Sequence, residues 1–477
     1  MHAKDLLWTK EEWIFRWAGS WYSLNNLTLV LVVQINTFFD YRVPVKKQLF
    51  FIQTNMRNEI INKEDISCLW EDMMSSRHAV IIGAGITGLL TAIRLRKAGW
   101  NVSVAEAHHI GAGSSSRTAA GIRQQFSTEE TVIGMRYSVD FYRRFCEEVG
   151  GEIKPIVQNG YLFLLHSNIE DAQKRVAMQR EAGLHDVAFL TPQETSQQFP
   201  YVDPESILGS TWCPSDGFLR PGIIYGEAAN ACRRLGVQLY QKSPINKSRL
   251  KGNKIEAVRA GETWLEADLF IDCTNAWSPR LTAMLGGQSL PISPLKRYLW
   301  FIERDGSLSE ELMADMPMII TPSGAYCRPE SRQSLMVGWA HNASSEPSFD
   351  YSDQDTIENS FSHEGMESRA YEAWEAICEV LPTVEEFSGI EATTSGYYGT
   401  TPDHNPFLCY DKYRPNLLHL VGFSGHGAMF GPFSSTAGLH LAEAGHDLDE
   451  ITLFDSQISM KAFHADRPFR HSESMVI

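Results

Sequence analysis

Residues 78–106 read HAVIIGAGITGLLTAIRLRKAGWNVSVAE, and this stretch decides the fold. Ala79 to Ile82 is a short apolar run rich in β-branched residues, the composition of a buried strand. Gly83, Gly85 and Gly88 follow at once in G-x-G-x-x-G spacing. From Ile86 to Lys97, Leu89, Leu90, Ile93 and Leu95 fall among small or polar residues, as on an amphipathic helix. Gly99 ends that helix, Val102 to Val104 makes a second apolar strand, and Glu106 closes it.

Each part has a physical job in dinucleotide binding. Gly83 lets the chain turn off the strand, Gly85 lets the backbone approach a pyrophosphate, and Gly88 lets helix and strand pack closely. The first helical turn, with Ile86 and Thr87, turns its N–H groups and positive dipole end to the phosphates. Glu106 can accept two hydrogen bonds from a ribose diol, which disfavours a 2′-phosphate and so NADP. A G-x-G-x-x-G alone is often only a turn. Strand, glycines, helix, second strand and terminal acid together point to a nucleotide rather than to a ligand-free βαβ unit.

The chain has 477 residues, room for two or three domains, with 43% hydrophobic and 21% charged residues as in ordinary globular proteins. A net charge of −16 argues against nucleic acid or an anionic membrane as partner, since both need a basic face. Much of the acid is local: thirteen Asp/Glu against one Lys/Arg between Glu346 and Glu391, read as a solvated helical face or loop. Eight scattered cysteines without a C-x-x-C offer neither a disulfide ladder nor a metal site, so reduced thiols in the cytoplasm are expected. No apolar run approaches the ~20 residues of a membrane span.

Residues 1–75 carry Trp8, Trp13, Trp17 and Trp21 but no sustained period. Met73 and Met74 lie just before the first strand, so the expectation is that translation starts there and the preceding segment is outside the fold; the alternative is a helical extension. Beyond Glu106 and Ala107, Gly111, Gly113 and Ser114, Ser115 and Ser116 form a polar loop able to wrap phosphate or a flat ring, with Arg117 and Arg123 as its strong cations. A helical pattern runs from Thr128 to Val149. Tyr161 to Leu165 reads as a strand, Asn168 to Ala182 and Pro221 to Leu235 as helices, Ile255 to Ala267 as a hairpin, and Leu269 to Cys273 as a buried strand ending in CTNAWS. Leu295 to Glu303 and Ser334 to Trp339 belong to a second sheet. Leu417 to Val421 is the last buried strand and leads through GFSGHG into a final helix. The fold class is therefore α/β, a nucleotide domain interrupted by a sheet-rich one.

Residues 80–123, TPDHNP at 401–406 and GFSGHG at 422–427 resemble the FAD-dependent amine oxidoreductases of the D-amino-acid oxidase superfamily. The resemblance is closest to the β subunit of heterotetrameric sarcosine oxidase, with dimethylglycine dehydrogenase and glycine oxidase nearby. It covers roughly residues 77–470, including CTNAWS and the FHADRPFR tail. It implies FAD rather than NAD, and a Rossmann-like FAD-binding domain interrupted by a mixed-sheet substrate domain. The FAD-binding parts are 76–160, 215–290 and 395–477, and the substrate parts 161–214 and 291–394. To Gly83, Gly85, Ile86, Thr87, Gly88, Glu106 and Ala107 it adds Ser114, Ser115, Ser116, Thr118, Ala119, Ile245, Thr274, Asn275 and Trp277 as cofactor contacts. Gly425, His426, Gly427, Ala428 and Met429 lie beside the flavin. There a helix N-terminus stabilises the negative charge of the reduced ring.

The implied reaction is hydride loss from a carbon next to nitrogen to flavin N5, followed by imine hydrolysis. The substrate is a sarcosine-like N-methyl or imino acid. The alternatives are a glycine or D-amino-acid oxidase, or a flavin-carrying subunit with partner subunits; the electron acceptor is oxygen or another oxidant. Where relatives tether FAD covalently, this chain has Gly396 and Thr118, so FAD is expected to be non-covalent. Lysines that activate oxygen and pair with the substrate carboxylate fall at Met336 and Met429. Asn275 replaces a usual glycine, and Asn tolerates left-handed backbone. Candidate substrate residues are Arg123 (carboxylate clamp, or else a structural or pyrophosphate contact), Tyr398 and Tyr326. Lys296 and Arg297 are candidates at the flavin edge. His426 reads as a positioning residue, His341 as surface, and Asp403 and His404 as locks of their turn by side-chain to backbone bonds.

Overall fold

The structure, a computed structural model, describes residues 6–9, 12–17, 20–25, 77–304, 314–331, 333–339, 369–384, 387–454, 456–469, 473 and 475. The chain divides into two units, Met1–Ser75 and Ser76–Ile477. The described part of the first is three antiparallel strands, Leu6–Thr9, Glu12–Trp17 and Ser20–Asn25, with Trp8 opposite Trp13 and Arg16 opposite Trp21. It is strand, not the helical extension considered from sequence, as suits an aromatic-rich run broken every few residues. Met73 and Met74 lie outside the described residues, as does His341.

In the second unit β1 (His78–Ile82), α1 (Ile86–Lys97) and β2 (Asn101–Ala105) form the expected βαβ core. The chain continues through α2 (Glu129–Arg143), β3 (Tyr161–Leu165), β4 (Ala188–Leu190), β5 (Gly209–Cys213), α3 (Pro221–Arg234), β6 (Gln238–Tyr240) and β7 (Leu269–Asp272). Then come β8 (Ser293–Arg304), β9 (Met318–Ile320), β10 (Ala325–Pro329), β11 (Ser334–Trp339) and α4 (Arg369–Cys378). It closes with β12 (Phe387–Thr400), β13 (Phe407–Tyr410), β14 (Leu417–Val421) and α5 (Gly427–Ala444). The helix expected to run to Val149 is interrupted at Arg144 and resumes as a short helix, Phe145–Glu148. Arg144 spans the break, its guanidinium 2.6 Å from both Asp140 and Glu148.

One sheet has the order β6-β2-β1-β7-β14-β13. Its first five strands are parallel and β13 is an antiparallel edge. Strands buried on both faces read as near-continuous apolar runs, which is why β1, β7 and β14 were legible. Alternate residues serve two cores. Ala79, Ile81, Val104, Ile271 and Leu420 pack with α1, α2, α3 and α5. Val80, Ile82, Phe270 and Leu417 pack with a three-stranded meander (Ile245–Lys251, Lys254–Ala260, Thr263–Glu266). The first meander strand escapes sequence reading because its residues are mostly exposed and polar.

The other sheet has the order β12-β8-β11-β10-β9-β3-β5-β4. One face carries Leu162, Tyr298, Trp300, Ile319, Cys327 and Val337 against α4. The opposite face carries Tyr161, Phe163, Leu299, Met318, Ile320, Tyr326 and Met336. Side chains alternate across a strand, so each position's register decides which core it joins.

Candidate active site

The G-x-G-x-x-G turn is closed to any side chain at two of its glycines. Gly83 has φ +105° and a Cβ there would stand 2.8 Å from the Cys273 carbonyl oxygen. A Cβ on Gly88 would stand 2.0 Å from the Gly83 carbonyl oxygen, so Gly88 is a packing glycine beneath the cleft rather than part of its lining. α1 starts at Gly85 with no side-chain cap and no acid in its first turn, while Arg94, Arg96 and Lys97 occupy its last. That leaves the positive end of the helix for an external anion. Ser115 sits against it, its hydroxyl accepting the Ile86 N–H at 3.1 Å. The Glu106 carboxylate is oriented by the Ala84 and His108 amides at 2.8 and 2.9 Å.

These groups line one end of a cavity of about 790 Å³ that extends to the loop before α5. The volume lies within the range of about 300–1,000 Å³ typical of cofactor sites. The expected residues Gly83, Gly85, Ile86, Thr87, Glu106, Ala107, Ser114, Ser115, Thr118, Ile245, Thr274, Asn275, Trp277, Gly425, Gly427 and Ala428 line it. Ser116 does not: it is exposed, with its hydroxyl on the Gly113 carbonyl. Ala119, His426 and Met429 line a small adjoining pocket instead. Arg117, one of the two cations noted in the loop, lines the large cavity too, and His108, His109, Arg280 and Tyr397 line it without having been singled out from sequence. Their residue types carry no motif, and only the fold brings them to the rim. A glycine cradle, an acid-free helix start and an oriented carboxylate at one end of an elongated cavity fit an adenine dinucleotide.

Asn275 adopts φ +50°, as its substitution for glycine requires. Its side-chain oxygen accepts the Gly422 and Phe423 amides at 3.0 and 3.1 Å, tying CTNAWS to GFSGHG. Below, the fully buried His419 lies 3.3 Å from Asp272 and 3.1 Å from Asp411. The two carboxylates outweigh burial and raise the imidazole to about 9. Asp272 in turn accepts the Thr274 amide and the Thr274 and Ser278 hydroxyls at 2.6–2.9 Å.

At the cavity's other end, α5 opens at His426, again with no acid in its first turn. Gly425 has φ +93°, and a Cβ there would stand 2.4 Å from the Tyr398 ring. Pro432 lies inside α5 and has no N–H to give the Ala428 carbonyl four residues earlier. The buried Tyr142 hydroxyl supplies that bond at 2.6 Å. Tyr142→Phe is expected to orphan the carbonyl and cost about 1–3 kcal/mol, read as a lower urea midpoint at unchanged slope.

The small pocket, about 30 Å³, is lined by Arg123, Tyr161, Met318, Tyr326, Tyr398, His426 and Met429 among others. It brings together the three substrate candidates Arg123, Tyr326 and Tyr398. Tyr326 lies over Gly338, where a Cβ would meet its ring at 2.2 Å. It shares a side-chain hydrogen bond with Tyr398; burial pushes both phenols up, against the positive charge of Arg297. Both are neutral at pH 7.

Arg123 is not an open clamp. It is fully buried, its guanidinium donates to the Gln125 and Met475 carbonyls, and Nη2 lies 3.1 Å from His426 Nε2. Burial, then the Arg123 charge, holds His426 well below the usual imidazole range. Since arginine only donates, Nε2 accepts and the proton sits on Nδ1, which has no partner among the described residues.

Lys296 and Arg297 separate. Arg297 shares a face with Leu299 and Gly396, its guanidinium carbon 5.8 Å from the Tyr398 ring centroid, and its Nε and Nη1 are buried without a partner among the described residues. Lys296 shares the opposite face with Tyr298, 5.5 Å from that ring, as pleat alternation demands. Asp403 does lock its turn, accepting the Asn405 amide and pairing with Arg467 at 2.7 and 2.9 Å. His404 does so only through its backbone at φ +60°, since its Nδ1 has no partner among the described residues.

Among the described residues no helix is long and apolar enough to cross a membrane. The chain is 26% identical to "FAD-dependent oxidoreductase domain-containing protein 1" of Xenopus laevis, over 82% of this chain and 83% of that one. It is 23% identical to human "Dimethylglycine dehydrogenase, mitochondrial", over 80% of this chain and 44% of that longer protein. Its fold matches the crystal structure of L-proline dehydrogenase from P. horikoshii with a TM-score of 0.67 and 26% identity, over 78% of this chain and 94% of that one. The profile of the DAO family, FAD dependent oxidoreductase, matches residues 78–444. The chain belongs to that family of FAD-dependent oxidoreductases.

Proposed function

We propose that this chain oxidises the C–N bond of a small amine bearing a carboxylate, of the sarcosine-like N-methyl or imino acid type. The neighbouring class is glycine or D-amino acids. Bound FAD supplies the hydride acceptor; the substrate loses a hydride from the carbon next to nitrogen, and the imine takes up water to give an amine and a carbonyl compound. In this reading segments 76–160, 215–290 and 395–477 hold FAD, and 161–214 and 291–394 hold substrate.

The observation that carries the reading is Arg297, with two buried donors unpartnered among the described residues, beside the Tyr326–Tyr398 pair. A guanidinium with donors to spare suits a carboxylate in bidentate fashion. Tyr326, Tyr398 and the Nδ1–H of His426 orient the substrate. None is an anionic base, so the amine has to arrive deprotonated. The uncapped start of α5 favours negative charge developing at its end of the cavity. Gly396 and Thr118 line the cavity and offer no thiol or imidazole to tether a flavin, which supports non-covalent FAD. The scattered cysteines, with no paired spacing, support a reducing compartment such as the cytoplasm.

The test is anaerobic bleaching of the yellow protein by sarcosine, glycine, proline and D-amino acids, repeated with oxygen and with a dye. The reading fails if none bleaches it. Arg297→Ala is expected to raise KM for the carboxylate substrate about 10- to 100-fold. In the same kinetics kcat should change far less, and an amine without a carboxylate should be indifferent to the change.

A further inference from the structure

One buried carboxylate beside the small pocket has no part in the site described so far. Asp216 is fully buried. It precedes the strand Gly217–Leu219, which pairs with Gly121–Ile122 so that Gly217 lies opposite Ile122. That register carries Asp216 alongside the next residues, Arg123 to Gln125. One carboxylate oxygen accepts the Gln124 amide at 2.8 Å and Gln124 Nε2 at 2.9 Å, and the other accepts Gln125 Nε2 at 3.2 Å. The Asp216 carbonyl accepts the Gly160 amide at 3.0 Å, so backbone and side chain are both fixed.

From Asp216 a continuous path leads to the pocket. Gln125 Nε2 also donates to the Tyr161 carbonyl at 3.0 Å, and the Gln125 carbonyl accepts from Arg123. Arg123 and Tyr161 are pocket walls, and Arg123 meets a third wall, His426, at Nε2. No acid is among the lining residues. The charge of the buried Arg123 is supported instead by Tyr161 and by two carboxylates that do not line the pocket, Glu473 and Asp216. Removing the charge of Asp216 has two consequences. The guanidinium loses a carboxylate, and a neutral side chain at 216 brings a donor to a place where all three partners also donate, so at least one glutamine contact breaks or turns over.

We infer that Asp216 is a positioning residue of the pocket: it holds the Arg123–Gln125 segment and balances the Arg123 charge, so that Arg123 stays on His426 Nε2 and the His426 proton stays on Nδ1. Its bearing on catalysis rests on the amine-oxidising reading above; its bearing on His426 does not. The arrangement is sensitive to pH. Burial, offset in part by the glutamine bonds and then by Arg123, pushes the Asp216 carboxyl up to about 7. The other titratable groups facing it are Arg123, Tyr161 and Cys213. Burial pushes Tyr161 and Cys213 up, so both stay neutral, and a guanidinium stays charged. Asp216 therefore ties the segment as a carboxylate above about 7 and loses that hold as pH falls below it.

The FAD-loaded full chain is compared with Asp216→Asn, which keeps the size of the side chain and removes its charge. Imidazole nitrogen NMR reports the His426 tautomer, its signals being those lost in His426→Gln, and flavin bleaching by sarcosine reports kcat and KM. At about pH 8.5 the wild type should show Nδ1 protonated and Nε2 bare; Asp216→Asn should lose that pattern and bleach with kcat lowered about 10-fold or more while KM changes little. Arg297→Ala should do the reverse, which tells a positioning defect from a binding one. At about pH 6 the wild type should itself have lost the pattern, and the two bleaching rates should converge, since the substrate's own titration cancels in their ratio.

A wild-type His426 pattern in Asp216→Asn overturns the inference, whether kcat is unchanged or falls equally at both pH values, as a merely structural role would make it fall. Should Asp216→Asn fail to fold, the wild type alone decides: a His426 pattern unchanged between the two pH values overturns the inference. If no amine bleaches the full chain, the amine-oxidising reading fails and the His426 spectra still decide the role of Asp216.

Discussion

Gly88→Ala is expected to leave the chain almost free of FAD. The new methyl would lie 2.0 Å from the Gly83 carbonyl oxygen and 3.4 Å from the Cys273 side chain. The first neighbour is backbone, so no rotamer relieves the clash. Either α1 moves away from β1 or the Gly83 turn opens, and both displace the amides that face the phosphates. A loss of about 4 kcal/mol or more corresponds to roughly a thousandfold in affinity. Flavin absorbance per protein after gel filtration checks it. The control is Gly226→Ala in α3: no atom lies within 4 Å of its Cβ and its φ is not positive. That variant should keep FAD and gain about 0.5–1 kcal/mol from helix propensity. Equal FAD content in the two variants would falsify the assigned role of Gly88.

His419→Leu is expected to destabilise the second unit by about 3–5 kcal/mol at neutral pH, since it strands two buried carboxylates without their shared cation. Asp272, Asp411 and His419 are all buried, and Asp272 also holds the Thr274 turn at the cavity. The imidazole is raised to about 9 in the folded chain, above its ordinary value near 6.5. A group raised on folding binds more protons folded than unfolded. Its contribution is complete below about 6.5 and fades as pH rises through about 9. Both carboxylates are lowered despite burial; their contribution is present above the ordinary carboxylate range and fades as pH falls below it. Thermal unfolding of the wild type should therefore weaken between pH 7 and pH 9.5. The neutral His419→Asn variant should lose that slope, and an unchanged slope would sink the assignment.

The two nearest carboxylates of His419 are 147 and 8 residues away in sequence, and that difference sets what can be read without a structure. Contiguous physics was legible. The βαβ unit, its glycines and Glu106 sit within 29 residues, and their periods and turn chemistry announce themselves. The buried parallel strands β7 and β14 were equally plain, because burial on both faces leaves an unbroken apolar run. Asn275 was expected to take left-handed backbone and does so at φ +50°. The polar meander strand Ile245–Lys251 and the short β4 and β5 gave no such signal.

The proposed substrate pocket was only partly legible. Resemblance pointed to Arg123, Tyr326 and Tyr398 as its residues, and the fold does gather them. It could not say that Arg123 is spent on Met475, 352 residues later. Nor could it separate Arg297 from Lys296. A shift of one residue in pairing exchanges the two faces of a strand, and which face meets the cavity is decided by what covers the other; here α4 covers the Lys296 side. Local sequence thus determined the nucleotide cradle, because its groups are neighbours along the chain and need only backbone geometry. The proposed substrate side was decided by tertiary structure, because its groups come from strands and a loop whose register is set by packing.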